Sequence, residues 1–338
     1  MAFAIVRQRL MLLGVVLLGL TMVTFVISRL IPTDPARLIA GDYASEEVVE
    51  GIRVELGLND PIPVQYGRYI GDVAQGDLGI SIRTGRPVLR DLAAYFPATL
   101  ELTLAAMLIA ITFGIALGVL SAIYKDGWVD QFVRLFALVG FSTPSFWLAL
   151  LLIYLFYGQL GLLPAGGRID PLLDDFSHPT GLLLIDSLLA LRLDAFVSAA
   201  AHLILPAMSL AFIMIGGFAR LVRASVLEEL RRDYVRTARS FGLTERRVVV
   251  RHVLPNALNP FVTQLGVYFG AMLTGAVVVE SMYAWPGLGS YILQAIESLD
   301  FPAIMGFTLM TGFIYVLINL SVDLLYLAIN PELRGART

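Results

Sequence analysis

The chain has 338 residues, of which 57% are hydrophobic and only 15% are charged, whereas roughly a quarter of the residues in a soluble domain are charged. This composition excludes an ordinary soluble fold and indicates that lipid is the main solvent. The formal net charge of −3 identifies no partner, and the absence of cysteine excludes disulfides and thiolate metal sites.

Six uncharged apolar runs are long enough to cross about 30 Å of hydrocarbon as helices. In chain order they are 10–28, 102–123, 135–163, 195–219, 261–279 and 301–322. Pro144 and Pro206 predict kinks in the third and fourth runs. A further run, 181–196, is rejected because it contains three charged residues, each costing about 2.5 kcal/mol or more at mid-bilayer. The sequence therefore predicts an all-α polytopic membrane protein with six transmembrane helices.

Arginines orient these spans, because positive residues accumulate in cytoplasmic loops. Nine arginines lie between residues 220 and 251, so this loop is predicted to be cytoplasmic. Both termini are then cytoplasmic as well, which agrees with the arginines close to each end. These are Arg7, Arg9, Arg334 and Arg337.

The same topology divides the chain into three parts. Residues 1–30 form an N-terminal segment with the first span, and residues 31–97 form a small ordered periplasmic cap. Apolar residues at helical spacing predict a helix at 46–56 within this cap. Residues 98–338 form a five-helix core, which includes a periplasmic loop at 164–194 and a cytoplasmic loop at 220–260.

The cytoplasmic loop is predicted to contain two short helices separated by a glycine. Tyr234, Ala238 and Phe241 fall on one face of the first helix at i, i+4 and i+7. Gly242 is suited to the left-handed conformation that ends a helix. Thr244 then offers an N-cap hydroxyl to the second helix.

Pro255 is expected to bend or end this second helix before the fifth span. The spacing of Ala238, Gly242 and the run 252–255 resembles the EAA loop of permease subunits in binding-protein-dependent ABC importers. Arg236 and Thr237 stand where that family has glutamate and alanine, a departure that resembles its dipeptide, oligopeptide and nickel branch. In this family the loop forms a coupling helix that docks on the ATPase. The resemblance implies this role for Asp233, Tyr234, Arg236, Thr237, Ala238, Phe241, Gly242, His252, Leu254 and Pro255.

Other segments are similar to the same branch. The runs at 76–81 and 285–296 resemble its first and last periplasmic loops, and the end at 322–334 is similar too. The loop at 179–186 looks most like the dipeptide permeases. The periplasmic motif residues are Gly76, Asp77, Gly79, Pro286, Gly287 and Gly289.

The chain lacks an energy source of its own. A phosphate-binding loop needs a lysine after glycine and before serine or threonine, and the only lysine is Lys125, between Tyr124 and Asp126. The spans contain no carboxylate at mid-bilayer, where ion-coupled carriers place one. Glu101, Glu280 and His202 are interpreted as helix-end residues. The chain is therefore predicted not to be an enzyme, with ATP and Mg bound by partner ATPases.

The family resemblance implies an assembly in the bacterial inner membrane. Its members would be this chain, a second homologous permease subunit forming a heterodimer, two ATPase subunits, and a periplasmic or lipid-anchored solute-binding protein. Membrane lipids are further partners, and nucleic acid is not expected. The expected substrate is a dipeptide, with oligopeptides, glutathione or nickel as alternatives. An ion-coupled secondary carrier and a non-transporting scaffold are the rival functions. No catalytic or metal-binding residue is predicted, and the substrate-binding residues stay open.

Overall fold

The computed structural model describes residues 2–30, 34–41 and 43–329, and Arg334 and Arg337 lie outside these ranges. The described residues are mostly helical, which confirms the all-α class. The helices are α1 Ala2–Leu30, α2 Pro35–Ala40, α3 Glu46–Glu55, α4 Ile62–Ala74, α5 Val88–Ile123, α6 Trp128–Ser142, α7 Ser145–Leu152, α8 Leu183–Leu189, α9 Leu193–Glu229, α10 Asp233–Ser240, α11 Glu245–Val248, α12 Leu254–Ala257, α13 Asn259–Met282, α14 Leu288–Glu297 and α15 Phe301–Ile329.

Four of the described helices are long and apolar enough to cross a membrane singly, and two bent pairs raise the number to six if each pair is one span. The single helices are α5, α9, residues 11–29 of α1 and residues 301–322 of α15. One bent pair lies within α13, whose two parts are inclined by 41°. The six predicted spans are thus all represented by apolar helices, although two of them are bent.

The third predicted span is not one continuous helix. Helix α6 ends at Ser142, and α7 with its π-helical continuation Ile153–Gln159 leaves at 106°. Pro144 is the cause, because its ring disfavours helical geometry in the preceding residue. Thr143 is accordingly extended, with φ −86° and ψ 121°. Helix α9, by contrast, continues through Pro206 as one element, so only one of the two predicted kinks breaks a helix.

Two compact units can be distinguished. The larger comprises Pro97–Ser290 and Ile318–Thr338 with the first two residues, and the smaller comprises Phe3–Phe96 and Tyr291–Leu317. In the smaller unit, α3 occupies the stretch in which a helix was predicted, with Ser45 as its N-cap. Phe25 of α1 packs on Tyr66 and Tyr69 of α4, at 5.2 and 5.9 Å between ring centroids.

The core of the larger unit forms where α5, α9 and α13 meet. Phe218 of α9 is fully buried and makes edge-to-face contacts with Phe261 and Tyr268 of α13. A Cβ on Gly114 of α5 would lie 2.4 Å from Cβ of Phe218, so glycine is what lets these helices approach. The rejected run 181–196 contributes α8, whose seven residues are too few to span a bilayer.

Candidate functional site

The predicted cytoplasmic loop is shorter than the sequence suggested. Its first ten residues, 220–229, continue helix α9 to Glu229. Arg232 then occupies the N-cap position of α10 and lies 3.3 Å from the Glu228 carboxylate and 3.7 Å from that of Glu229. The segment between the two long helices is therefore residues 230–258, and α10 follows α9 after a three-residue turn.

Helix α10 packs against its neighbours through one narrow apolar stripe. Val235 and Ala238 are its buried residues, and they join a continuous apolar cluster that includes Val226 of α9 and Val248 of α11. Phe241, which its spacing places on the same face as Ala238, follows the end of α10, and its side chain is 80% exposed. The one-turn spacing of Val235 and Ala238 sets the buried stripe of so short a helix.

The turn between α10 and α11 has the predicted backbone conformation, but an ion pair replaces the predicted N-cap hydrogen bond. Gly242 has φ +75°, the left-handed conformation expected of it. Thr244 occupies the N-cap position of α11, but its hydroxyl makes no capping bond. Instead the Arg239 guanidinium donates to both carboxylate oxygens of Glu245, at 2.7 and 3.1 Å. Hydrogen bonding from Arg239 lowers the pKa of Glu245.

The second helix of the segment does not end at Pro255. It runs as α11, a π-helical turn at Val249–Val253 and α12, up to Ala257. The backbone N–H of Leu254 reaches back five residues to the Val249 carbonyl, and this wider turn directly precedes Pro255, which has no N–H to donate. The predicted bend is thus replaced by a local widening of the helix.

The Tyr234 hydroxyl connects α10 with the end of α9 and with the π-helical turn. Its hydroxyl donates to the Glu229 carboxylate at 2.6 Å, and the His252 carbonyl lies 3.4 Å away. Asn256 donates to the same carbonyl at 3.0 Å. Desolvation by burial, and then the Glu229 carboxylate, raise the pKa of Tyr234. Segment 230–258 is therefore one small packed body fixed to the end of α9.

The predicted site residues divide between the interior and the exterior of this body. Ala238 is buried, and His252 and Leu254 are half-buried. The remaining predicted residues are exposed, and they are Asp233, Tyr234, Arg236, Thr237, Phe241, Gly242 and Pro255. Phe241 is thus an exposed apolar ring among predicted site residues that are mostly polar.

The first predicted periplasmic motif forms a turn within the smaller unit. Gly76 and Gly79 both have left-handed backbone, with φ +82° and +84°. The Asp77 carboxylate accepts the N–H of Gly79 at 2.8 Å. Just beyond it, the Ser81 hydroxyl donates to the buried Asp300 carboxylate at 2.5 Å. The left-handed backbone conformation thus explains why glycine occupies these two positions.

The second predicted motif surrounds Glu280, whose burial the sequence analysis did not predict. Glu280 is fully buried, and its carboxylate accepts from the Thr99 hydroxyl at 2.5 Å and from the N–H groups of Gly289 and Ser290 at 2.6 and 3.1 Å. A Cβ on Gly287 would lie 2.4 Å from this carboxylate. The carboxylate fixes the loop that carries Pro286, Gly287 and Gly289. Glu280 was interpreted as a helix-end residue, which is correct, but its burial was not foreseen.

Comparison with known proteins identifies the class of membrane protein to which this architecture belongs. The family described as "Binding-protein-dependent transport system inner membrane component" matches residues 114–335, and its N-terminal companion, "Binding-prot-dependent transport system membrane comp, N-term", matches residues 1–103. The chain belongs to this family. The predicted resemblance is thereby confirmed, and this binding-protein-dependent transport component is a multi-pass inner membrane protein.

Named relatives of this transport component cover almost its whole length. It is 52% identical over 98% of its residues to the "Probable D,D-dipeptide transport system permease protein DdpB" of Escherichia coli (strain K12), of which 97% is covered. It is 43% identical over 98% of its residues to the "Dipeptide transport system permease protein DppB" of Alkalihalophilus pseudofirmus, of which 99% is covered.

A solved structure supports the fold of this transport component. The structure titled "Inward facing conformations of the MetNI methionine ABC transporter" aligns with a TM-score of 0.50 and 17% identity. The alignment covers 69% of this chain and 93% of the solved chain. At this level of identity the likeness concerns the fold alone.

Proposed function

We propose that this chain is a permease subunit of an ATP-driven importer that moves dipeptides across the inner membrane. The observation that carries the proposal is the near full-length identity of 43% and 52% to two permeases named for dipeptide transport. ATP and Mg are bound by separate ATPase subunits. Oligopeptides, glutathione and nickel are the alternative substrates within the same branch.

The segment 230–258 is proposed to receive the ATPase. Its outer side presents Phe241 and the 79%-exposed Arg236 side chain, while its inner side joins the apolar core through Val235 and Ala238. A contact made outside would therefore act on a body whose helices α10 and α11 are packed together and against α9. Movement of the ATPase pair is transmitted in this way to the membrane helices, which open the pathway alternately to each side.

The remainder of the assembly follows the family. A second, related permease subunit completes a heterodimer, and two ATPase subunits bind on the cytoplasmic side, where both termini lie. A periplasmic or lipid-anchored binding protein delivers the peptide to the outer loops. The turns at Gly76–Gly79 and Pro286–Gly289 belong to that outer side.

Uptake by the reconstituted complex tests this function. Proteoliposomes containing the permease pair, the ATPases and the binding protein should accumulate a labelled dipeptide only when ATP is supplied to the ATPase side. Unlabelled L,L- and D,D-dipeptides added as competitors would show which stereochemistry the system takes. Uptake driven by an ion gradient without ATP would contradict the proposal and favour a secondary carrier.

A matched pair of variants tests the coupling role. Phe241→Ala should abolish both uptake and the ATP hydrolysis stimulated by the binding protein, because it removes the exposed ring. Phe113→Ala on α5 is the control, since that phenyl ring is also exposed, at 55%, but lies within a membrane span. Equal activities of the two variants would refute the assignment.

A further inference from the structure

A cavity of about 480 Å³ lies between α6 and α9 in the larger unit. Its lining is mainly apolar, but it also carries three guanidinium groups. Leu138, Phe141 and Gly216 represent the apolar part, and the cationic part consists of Arg134, Arg220 and Arg223.

The cavity exists because the two helices touch through their backbones. A Cβ on Gly216 would lie 2.9 Å from Cα of Ala137, and a Cβ on Gly140 would lie 3.2 Å from the Phe212 carbonyl oxygen. Such small residues bring membrane helices close together. Larger side chains beside the contact, such as Leu138 and Phe141, are exposed and form the walls of a groove open to the surroundings.

The cationic end of the groove has more positive charge than its neighbours neutralise. Fully buried Asp130 accepts two hydrogen bonds from Arg223, at 2.7 and 2.8 Å, and lies 3.5 Å from Arg134. Asp130 also accepts from the Ser121 hydroxyl. Within the described part of the chain, the Arg220 guanidinium has no hydrogen bond or ion pair. Asp130 thus contacts two of the three guanidinium groups, and Asp126 acts electrostatically on Arg223 as well. Among the described residues the charge of Arg220 is left without a partner, and this surplus favours an anion.

The cations lie where a membrane lipid places its phosphate. Arg134 directly precedes the uncharged run 135–163, and Arg220 directly follows the run 195–219. Both arginines therefore stand at the same boundary of the hydrocarbon, while Phe141 and Gly216 lie deeper within it. Basic pockets between transmembrane helices are known to bind anionic lipid headgroups.

From this combination we propose that the groove between α6 and α9 is a binding site for an anionic phospholipid. Arg134 and Arg220 hold the headgroup phosphate, and an acyl chain lies along Leu138 and Phe141. Arg223 stays paired with Asp130 and sets the position of the two helices. A neutral, zwitterionic lipid would leave the surplus charge unmatched.

The absence of cysteine from the chain allows a direct test in the complete transporter. A fluorescent label is attached to Leu138→Cys, and the transporter is placed in liposomes of equal parts phosphatidylglycerol and phosphatidylcholine. Two preparations are compared, one with brominated phosphatidylglycerol and one with brominated phosphatidylcholine, because bromine on the acyl chains quenches a nearby label. Leu108→Cys on α5 is the control, because Leu108 and Leu138 are similarly exposed, at 68% and 64%.

The label at Leu138 should be quenched more strongly by brominated phosphatidylglycerol, by about fivefold for each arginine engaged. The preference should vanish in Arg134→Gln/Arg220→Gln, which keeps the Asp130–Arg223 pair, and be absent at Leu108. Equal quenching by both lipids at Leu138 would overturn the proposal. Quenching by neither lipid would overturn it too, since another protein subunit would then fill the groove.

Discussion

Replacing Glu280 by alanine should loosen the loop that carries the second periplasmic motif. The change removes the acceptor for two buried donors, the Thr99 hydroxyl and the Gly289 N–H, and for the half-buried Ser290 N–H. Each buried donor left without a partner costs about 1 to 3 kcal/mol. The expected destabilisation of the fold is therefore about 3 kcal/mol or more.

Glu280→Gln is the matched control for this prediction. The amide oxygen can still accept from Gly289 and Ser290, while its NH₂ group meets the Thr99 hydroxyl, which itself accepts from the Leu288 N–H at 2.7 Å. One donor at most is orphaned, so the expected loss is about 1 kcal/mol.

Thermal unfolding of the purified complex, followed by tryptophan emission, measures both variants. Trp285 is a natural reporter, because it is buried beside the loop and its indole N–H donates to the Ala98 carbonyl at 2.9 Å. The order of melting temperatures should be wild type, then Gln, then Ala, with a red-shifted emission in the alanine variant. An alanine variant that melts with the wild type would refute the proposed role of the carboxylate.

Three further changes have defined outcomes. Gly242→Ala forces a side chain into left-handed backbone and should destabilise the turn by about 1 to 2 kcal/mol, which faster hydrogen exchange of α10 would show. The control Gly71→Ala, inside α4 with open space around it, should stabilise the fold by about 0.5 to 1 kcal/mol. Equal effects of the two substitutions would contradict the backbone argument. Asp130→Asn leaves Arg223 without its charge partner and should destabilise by about 3 kcal/mol, and unchanged melting would speak against the ion pair. Because the pKa of Glu245 is lowered in the folded chain, its small contribution is complete above the ordinary carboxyl pKa of about 4.3 and disappears as pH falls through the lowered value. The protection factors of the turn amides, taken relative to intrinsic exchange at each pH, should fall in acid, and constant protection factors would exclude this contribution.

Much of the membrane architecture could be predicted because its determinants are local. Uncharged runs of sufficient length identify helices whatever their neighbours do. The left-handed conformation of Gly242 could also be predicted, since few other residues tolerate that backbone. The break at Pro144 was foreseen as a kink, but its angle of 106° depends on how α7 packs, which no local rule gives.

The buried face of α10 could not be obtained from spacing alone. Two stripes compete on this helix, one through Tyr234, Ala238 and Phe241, and one through Val235 and Ala238. The choice depends on the neighbouring α9 and α11, whose valines complete the cluster around Val235. Tertiary packing therefore decided that Val235, and not Phe241, is buried with Ala238.

The burial of Glu280 could not be predicted for a similar reason. A carboxylate at the end of an apolar run usually reaches water or headgroups, and its partners are supplied by a loop nine residues later and by Thr99 on another helix. A signal was nevertheless present in the sequence. Two glycines separated by one residue soon after a helix-end glutamate are suited to a loop whose backbone approaches that carboxylate closely.

Site-directed cross-linking tests the central claim most directly, because the chain has no cysteine of its own. Arg236→Cys, at a side chain 79% exposed on the same segment, should cross-link to an ATPase subunit in the assembled importer, with a yield that changes when ATP is bound. Leu172→Cys, at a side chain 88% exposed in the loop that precedes α8, should give no ATPase cross-link. If Arg236→Cys fails to reach the ATPase in an active complex, segment 230–258 is not the coupling element.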